Sequence, residues 1–222
     1  MEPRISIIKF GEYMTATPSR RKQILHDQKN PSAFKVARYK DARAVIVEFM
    51  EQGMAGIDEA RLTAVELRKD LTGTDFTVQD RQLSADAIHD FLSVSGEIET
   101  DDLSVHGGNI FASEMIAFGG TKVSMRPDVI FKDKATGAIV GGVKLNFSKS
   151  APLQMKSAEY VATALRAHLE INLSSPEHVD PAKCYVVDVP TGTVCSAPKA
   201  NKKRLSDLAA AGEEIAARWE SV

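Results

Sequence analysis

Disulfides, membrane spans and export signals are all missing from this sequence, and each absence narrows what it can be. Two cysteines, Cys184 and Cys195, are too few for a disulfide framework, and a hairpin turning near Thr191-Gly192 would not set them opposite each other. They read as reduced packing residues. No apolar run approaches the roughly 20 residues that span a bilayer, and the start, MEPRISIIKF, lacks a signal peptide's apolar core and cleavage site, so the expected location is cytoplasmic with no membrane contact. A net charge of -2 excludes a globally basic nucleic-acid binder but leaves room for a local basic face. No internal repeat, Walker loop, zinc-ligand spacing or G-x-S-x-G elbow is present, and the five histidines (His26, His89, His106, His168 and His178) are scattered.

What is present is a chain of 222 residues with 43% hydrophobic content, enough for a sizeable core in one large domain or two small ones. Residues 1–100 read as a helical, locally basic region. Thr17-Pro18-Ser19 is a helix start leading into Arg20 to Gln28, and Asn30-Pro31 stops it. Helical periodicity follows over Ala33 to Gln52, ending at Gly53, then over Ile57 to Leu71 and Leu83 to Val94. Residues 1–43 carry ten Lys and Arg against four acids, an excess that can track a phosphate backbone, with Arg20, Arg21 and Lys22 as its densest part. The other reading of those charges is a solvated helix face. Gly96 to Asn109, acidic and then loose at Gly107-Gly108, reads as a linker or active-site loop.

Residues 101–222 read as an α/β core. Three extended runs, Glu114 to Phe118, Lys122 to Phe131 and Ala138 to Ser148, are separated by Gly119-Gly120 and by Lys132 to Gly137, the pattern of an antiparallel meander. Strand alternation puts Asp128 and Lys144 on polar faces, and if the second and third strands are neighbours those faces coincide beside Gly142, whose missing side chain leaves room. A helix over Ser157 to Asn172, a strand Cys184 to Val189, a return strand Thr193 to Ser196 and a last helix Lys202 to Glu220 follow.

Pro127-Asp128, a hairpin-length gap and Gly142-Val143-Lys144, together with this order of elements, resemble the PD-(D/E)xK phosphodiesterase superfamily of restriction endonucleases and RecB-like exonucleases. The resemblance implies an α+β fold with a restriction-endonuclease-like αβββαβ core and a C-terminal helix. It implies a nuclease, acting on DNA with RNA as the second choice, in defence against foreign nucleic acid, with Mg²⁺ or Mn²⁺ as cofactor. Asp128 would hold the metal and Lys144 the attacking water or the phosphate. The acid expected two residues before the lysine is Gly142, so the resemblance points to a replacement from the next helix, Glu159, with Glu114 as a third acid. Arg126 and Lys149 join Arg20, Arg21 and Lys22 as expected nucleic-acid contacts. The alternative is a subunit that kept the fold, lost the acid, and binds nucleic acid, a second copy or a protein partner. Against both stands a plain salt bridge between Asp128 and Lys144.

Overall fold

Caps and turns decide where the elements start. Thr17 accepts from the Arg20 amide and Pro18 fills the first helical position of α2, while Thr74 accepts from the Thr77 amide at the start of α5. The computed structural model describes residues 2–31, 38–111 and 115–222. In chain order these form β1 (Arg4–Ser6), α1 (Ile7–Thr15), α2 (Pro18–Lys29), α3 (Lys40–Glu51), α4 (Ile57–Lys69) and α5 (Asp75–Val94). Then come β2 (Leu103–Gly107), β3 (Met115–Phe118), β4 (Thr121–Ser124), β5 (Val129–Asp133), β6 (Ile139–Asn146), α6 (Met155–His168), β7 (Cys184–Asp188), β8 (Thr193–Ser196) and α7 (Lys202–Arg218). The fold is α+β with a C-terminal helix.

The larger sheet runs β2-β5-β6-β7-β8. β2, β5 and β6 are antiparallel, α6 crosses over to bring β7 parallel to β6, and β8 returns antiparallel. The neighbouring β5 and β6 set Val129 opposite Val143, which places Asp128 beside Lys144 as alternation requires. The meander differs from expectation in its first strand. The run Lys122 to Phe131 is broken at Met125–Asp128: its first half joins β3 and β1 in a separate three-stranded sheet, and only its second half enters the large one. Pro127 has no N–H to give a ladder, so the chain changes sheets there. The vacant place beside β5 is taken by β2, drawn from the stretch expected to be a linker, where Leu103 and Val105 point inward and Ser104 and His106 outward. Glu114, and the helical expectation over residues 33–37, lie outside the described residues.

Each face of the large sheet has its own core. Ile130, Cys184, Val186 and Cys195 pack under α1, α6 and α7, whereas Val129, Phe131, Val143, Leu145 and Val187 pack under α3 and α5. Both cores draw on residues before and after position 100, so the N-terminal helices are layers of the same body. Cys184 and Cys195 are buried free thiols on neighbouring strands. Among the described residues no helix is long and apolar enough to cross a membrane.

His168 shows what such packing does to a titratable group. It is fully buried on α6, its Nδ1 meets Asn172 Nδ2 at 3.0 Å and its Nε2 has no partner among the described residues. Burial pulls its pKa down to about 4. An unfolded chain takes up this proton near pH 6.5 and the folded chain only near 4. Stability contributed by the neutral ring is therefore present above 6.5 and lost as pH falls from 6.5 towards 4. Thermal melts across pH 4 to 7 are expected to show His168→Gln with a flatter decline than the parent protein.

Candidate active site

The Asp128–Lys144 pair forms where β5 begins and β6 outruns it. Asp128 is held by its backbone first: its N–H donates to the Val143 carbonyl and its carbonyl accepts from the Gly108 N–H, both at 2.8 Å. A Cβ at residue 108 would meet the Pro127 carbonyl at 1.9 Å, so only glycine permits this crossing of β2 past the Pro-Asp corner. The carboxylate then turns along β6. Its Oδ2 accepts from the Leu145 N–H at 2.7 Å and from Lys144 Nζ at 3.0 Å, and its Oδ1 receives the Arg43 guanidinium from α3. Only 4% of the Asp128 side chain and 13% of that of Lys144 remain exposed, so this is no strand-edge surface pair.

Lys144 also donates to the Arg126 carbonyl at 2.8 Å. Burial, followed by the charges of Arg43 and Arg126, pulls its pKa down to about 7. The Asp128 carboxylate opposes that shift. One carboxylate faces three cations here, and the excess is positive.

Arg43 is aimed by α3. The helix begins at Tyr39, in the left-handed region at φ 62°, whose N–H donates to Asp80 on α5 and whose ring stacks on Phe147 at 5.3 Å. The guanidinium of Arg43 lies 5.0 Å over the same Phe147 ring. The turn that carries Phe147 is closed by a buried carboxylate, Asp188. Its Oδ2 accepts from Asn146 Nδ2 at 2.7 Å and from the Leu153 N–H at 2.6 Å, closing the loop between β6 and α6.

Two cavities flank the pair. One, of about 430 Å³, runs along α3: Glu48, Glu51 and Asp128 line it together with Lys40, Arg43 and Arg126. Lys40, Ala44, Val47, Glu48 and Glu51 form one stripe of the helix because they recur every three or four residues. The other cavity, of about 520 Å³, lies under the start of α1, and Lys9, Arg38, Arg43, Arg126 and Lys144 supply its charge.

The remaining expected residues lie apart from the pair or are spoken for. Glu159 on α6 is ion-paired with Arg204 of α7 and lines a separate cavity with Tyr160 and Asp207. Lys149 pairs with Asp86 on the surface of α5 at 3.5 Å. Arg20 is bound to Glu12, and Arg21 donates to the Tyr13 and Met14 carbonyls and to Glu214, which makes it a structural tie; neither lines the two cavities, nor does the exposed Lys22. Arg126 lines both. Gly142 leaves no room after all, because a Cβ there would sit 2.6 Å from the Val129 carbonyl of β5. The missing acid is thus a steric consequence of close strand packing. Any acid that joins Asp128 from the described cavity linings comes from the helix before the sheet.

Among the described residues no three His, Cys, Asp or Glu side chains draw close enough to enclose a cation by themselves. The chemistry of the α3 cavity nevertheless suits a hard one: its potential ligands, Asp128, Glu48, Glu51 and Asn109, offer oxygen only, and Mg²⁺ needs one or two carboxylates when waters and a phosphate complete its shell. Arg43 is the competing cation at Oδ1. No family model matches this chain, and no curated protein matches it.

Proposed function

We propose that this protein is a metal-dependent phosphodiesterase acting on nucleic acid, DNA before RNA, with Asp128 at its centre. The observation that carries the reading is one buried carboxylate, Asp128, that lines the α3 cavity with Glu48 and Glu51 while its partner Lys144 lines the cationic cavity under α1, the two cavities sharing Arg43 and Arg126. The order of strands and the crossover α6, with Pro127-Asp128 and Lys144 at the strand ends, support the resemblance to PD-(D/E)xK nucleases.

In this reading Asp128, with Glu48 or Glu51, would hold Mg²⁺ or Mn²⁺. When bound, that ion lowers the pKa of a coordinated water and offsets phosphate charge. The chain's own residues do the rest. Lys144, fixed between the Arg126 carbonyl and Asp128 Oδ2, has a third N–H for a phosphate oxygen or the attacking water. Arg43 moves from Oδ1 to a phosphate oxygen, where its planar fork matches two acceptors. Arg126 reaches the diester from the boundary between the cavities. The ion pair of Arg43 with Asp128 favours a second reading, a subunit that binds nucleic acid through the same cations without cleaving it.

One set of variants separates these. Glu51→Gln keeps an oxygen for the Gly107 N–H, which Glu51 now accepts at 2.6 Å, and Glu48→Gln changes an exposed position, so the double variant is expected to fold. It should bind Mn²⁺ at least about tenfold more weakly and cleave more slowly, the scale of losing one charged ligand contact. Glu159→Gln should change neither. If the parent protein cleaves no single- or double-stranded DNA or RNA with either metal, the catalytic reading is wrong and the binding one stands.

A further inference from the structure

We propose that the cavity under α1 holds the phosphomonoester end of a nucleic-acid strand, so that the protein works inward from a terminus; this rests on the phosphodiesterase reading. The argument is one of charge and place. Five cations, Lys9, Arg38, Arg43, Arg126 and Lys144, line about 520 Å³, the space of roughly one nucleotide. Among the described residues two carboxylates reach them: Asp128, shared by Arg43 and Lys144, and Glu12, which Lys9 shares with Arg20. A diester in the middle of a strand brings one negative charge per phosphate, and a terminal phosphate brings close to two with a third anionic oxygen. The larger charge fits the larger excess.

The donors of a helix start add to it. Ile7 and Ile8, the first residues of α1, line the same cavity; the helix has no acid in its first turn, and Ser6 makes no side-chain cap.

The cations also thin out where a strand would end. Ser6 and Ser124, paired across β1 and β4, line this cavity and the next one outward. In that next cavity Lys122 is bound to Glu2, and Lys29 donates to the Trp219 and Val222 carbonyls. Among the described residues Arg4 is the one cation of that cavity left without such a partner, so positive charge thins past the serine pair, on the side of Asp128 away from the α3 cavity. A strand entering along α3 would place its last phosphate under α1.

The test is binding without divalent metal, so that nothing is cleaved, followed by cleavage with Mn²⁺. The ligands are one oligonucleotide carrying a 5′-phosphate, a 3′-phosphate or hydroxyls at both ends, together with the mononucleotide and inorganic phosphate. One of the phosphorylated strands is expected to bind about tenfold or more tighter than the hydroxyl-ended one, as charge-assisted contacts to one extra charge imply. Lys9→Ala and Arg126→Ala should each erode that preference, and Lys122→Ala should keep it. Equal affinity for all three strands, or cleavage of closed circles as fast as linear strands, overturns the end-binding inference and leaves the phosphodiesterase reading intact. Inorganic phosphate or the mononucleotide binding as tightly as the phosphorylated strand overturns it in favour of a small-phosphate site. A clear end preference with no cleavage of any substrate sinks the phosphodiesterase reading and keeps the anion site.

Discussion

Asp128→Asn is expected to lose divalent-metal affinity and nucleic-acid cleavage together, and to melt well below the parent protein. The asparagine oxygen can still accept from the Leu145 N–H, so the strand geometry is conserved while the charge is removed. What remains is Arg43 and Lys144 side by side with no carboxylate between them. Breaking a buried pair by removing one partner costs about 3–5 kcal/mol, and the lower end applies because the Arg43 side chain is 42% exposed. Isothermal titration with Mn²⁺, a cleavage assay and a thermal melt on this one variant test all three parts. Retained cleavage would remove Asp128 from the chemistry, whatever its place in the fold.

Lys144→Met should behave differently in kind. It takes one cation from a cluster that has too many, so stability falls by less than in Asp128→Asn, and metal binding persists. Cleavage should drop roughly 10²- to 10³-fold, the scale of one lost electrostatic stabiliser. A salt bridge with no further role predicts similar stability losses for the two variants and no change in cleavage. The pH dependence sharpens the comparison. Lys144 is protonated in the free protein below about 7 and neutral above, so kcat/KM is expected to fall as pH rises through that value. A bound phosphate favours the ammonium, which moves the corresponding limb of kcat to higher pH. Lys144→Arg, charged throughout, should lose the limb. Stability runs the opposite way: an unfolded chain keeps this proton up to about 10.5 while the folded one releases it near 7, so stability rises with pH across that window. Melts of Lys144→Met should lack that rise.

Much of the site was legible because strand alternation is strict. Once β5 and β6 are neighbours, the polar positions at 128 and 144 must meet, and they do. The strand that completes the meander was hidden because its inward residues, Leu103 and Val105, are only two, set among acids and glycines. The partner acids were hidden for another reason. α3 announces itself by its apolar residues, and the stripe that matters, with Glu48 and Glu51 on it, reads as an ordinary solvated face until the sheet is set against it. Glu159 sits at the right distance along the chain, but Arg204 arrives from a helix 45 positions later to claim it. Gly142 looked like an omission when its cause was the carbonyl of Val129 pressing from the next strand. Asp188 was likewise unmarked, one acid closing an apolar strand, and the loop that holds Phe147 depends on it.

The bond from the Leu145 N–H to the Asp128 side chain has a consequence outside catalysis. β6 continues past the point where β5 starts, which leaves a short length of strand edge with an amide looking for an acceptor. That amide is buried, and a buried donor left without an acceptor costs about 1–3 kcal/mol. Asp128 meets it with a carboxylate, so the residue at the centre of the proposed chemistry also completes the hydrogen bonding of the strand beside it. A substitution there that removes the acceptor altogether, Asp128→Ala, strands the Leu145 N–H as well as emptying the site, and a thermal melt is expected to place it below Asp128→Asn, which keeps an oxygen in reach.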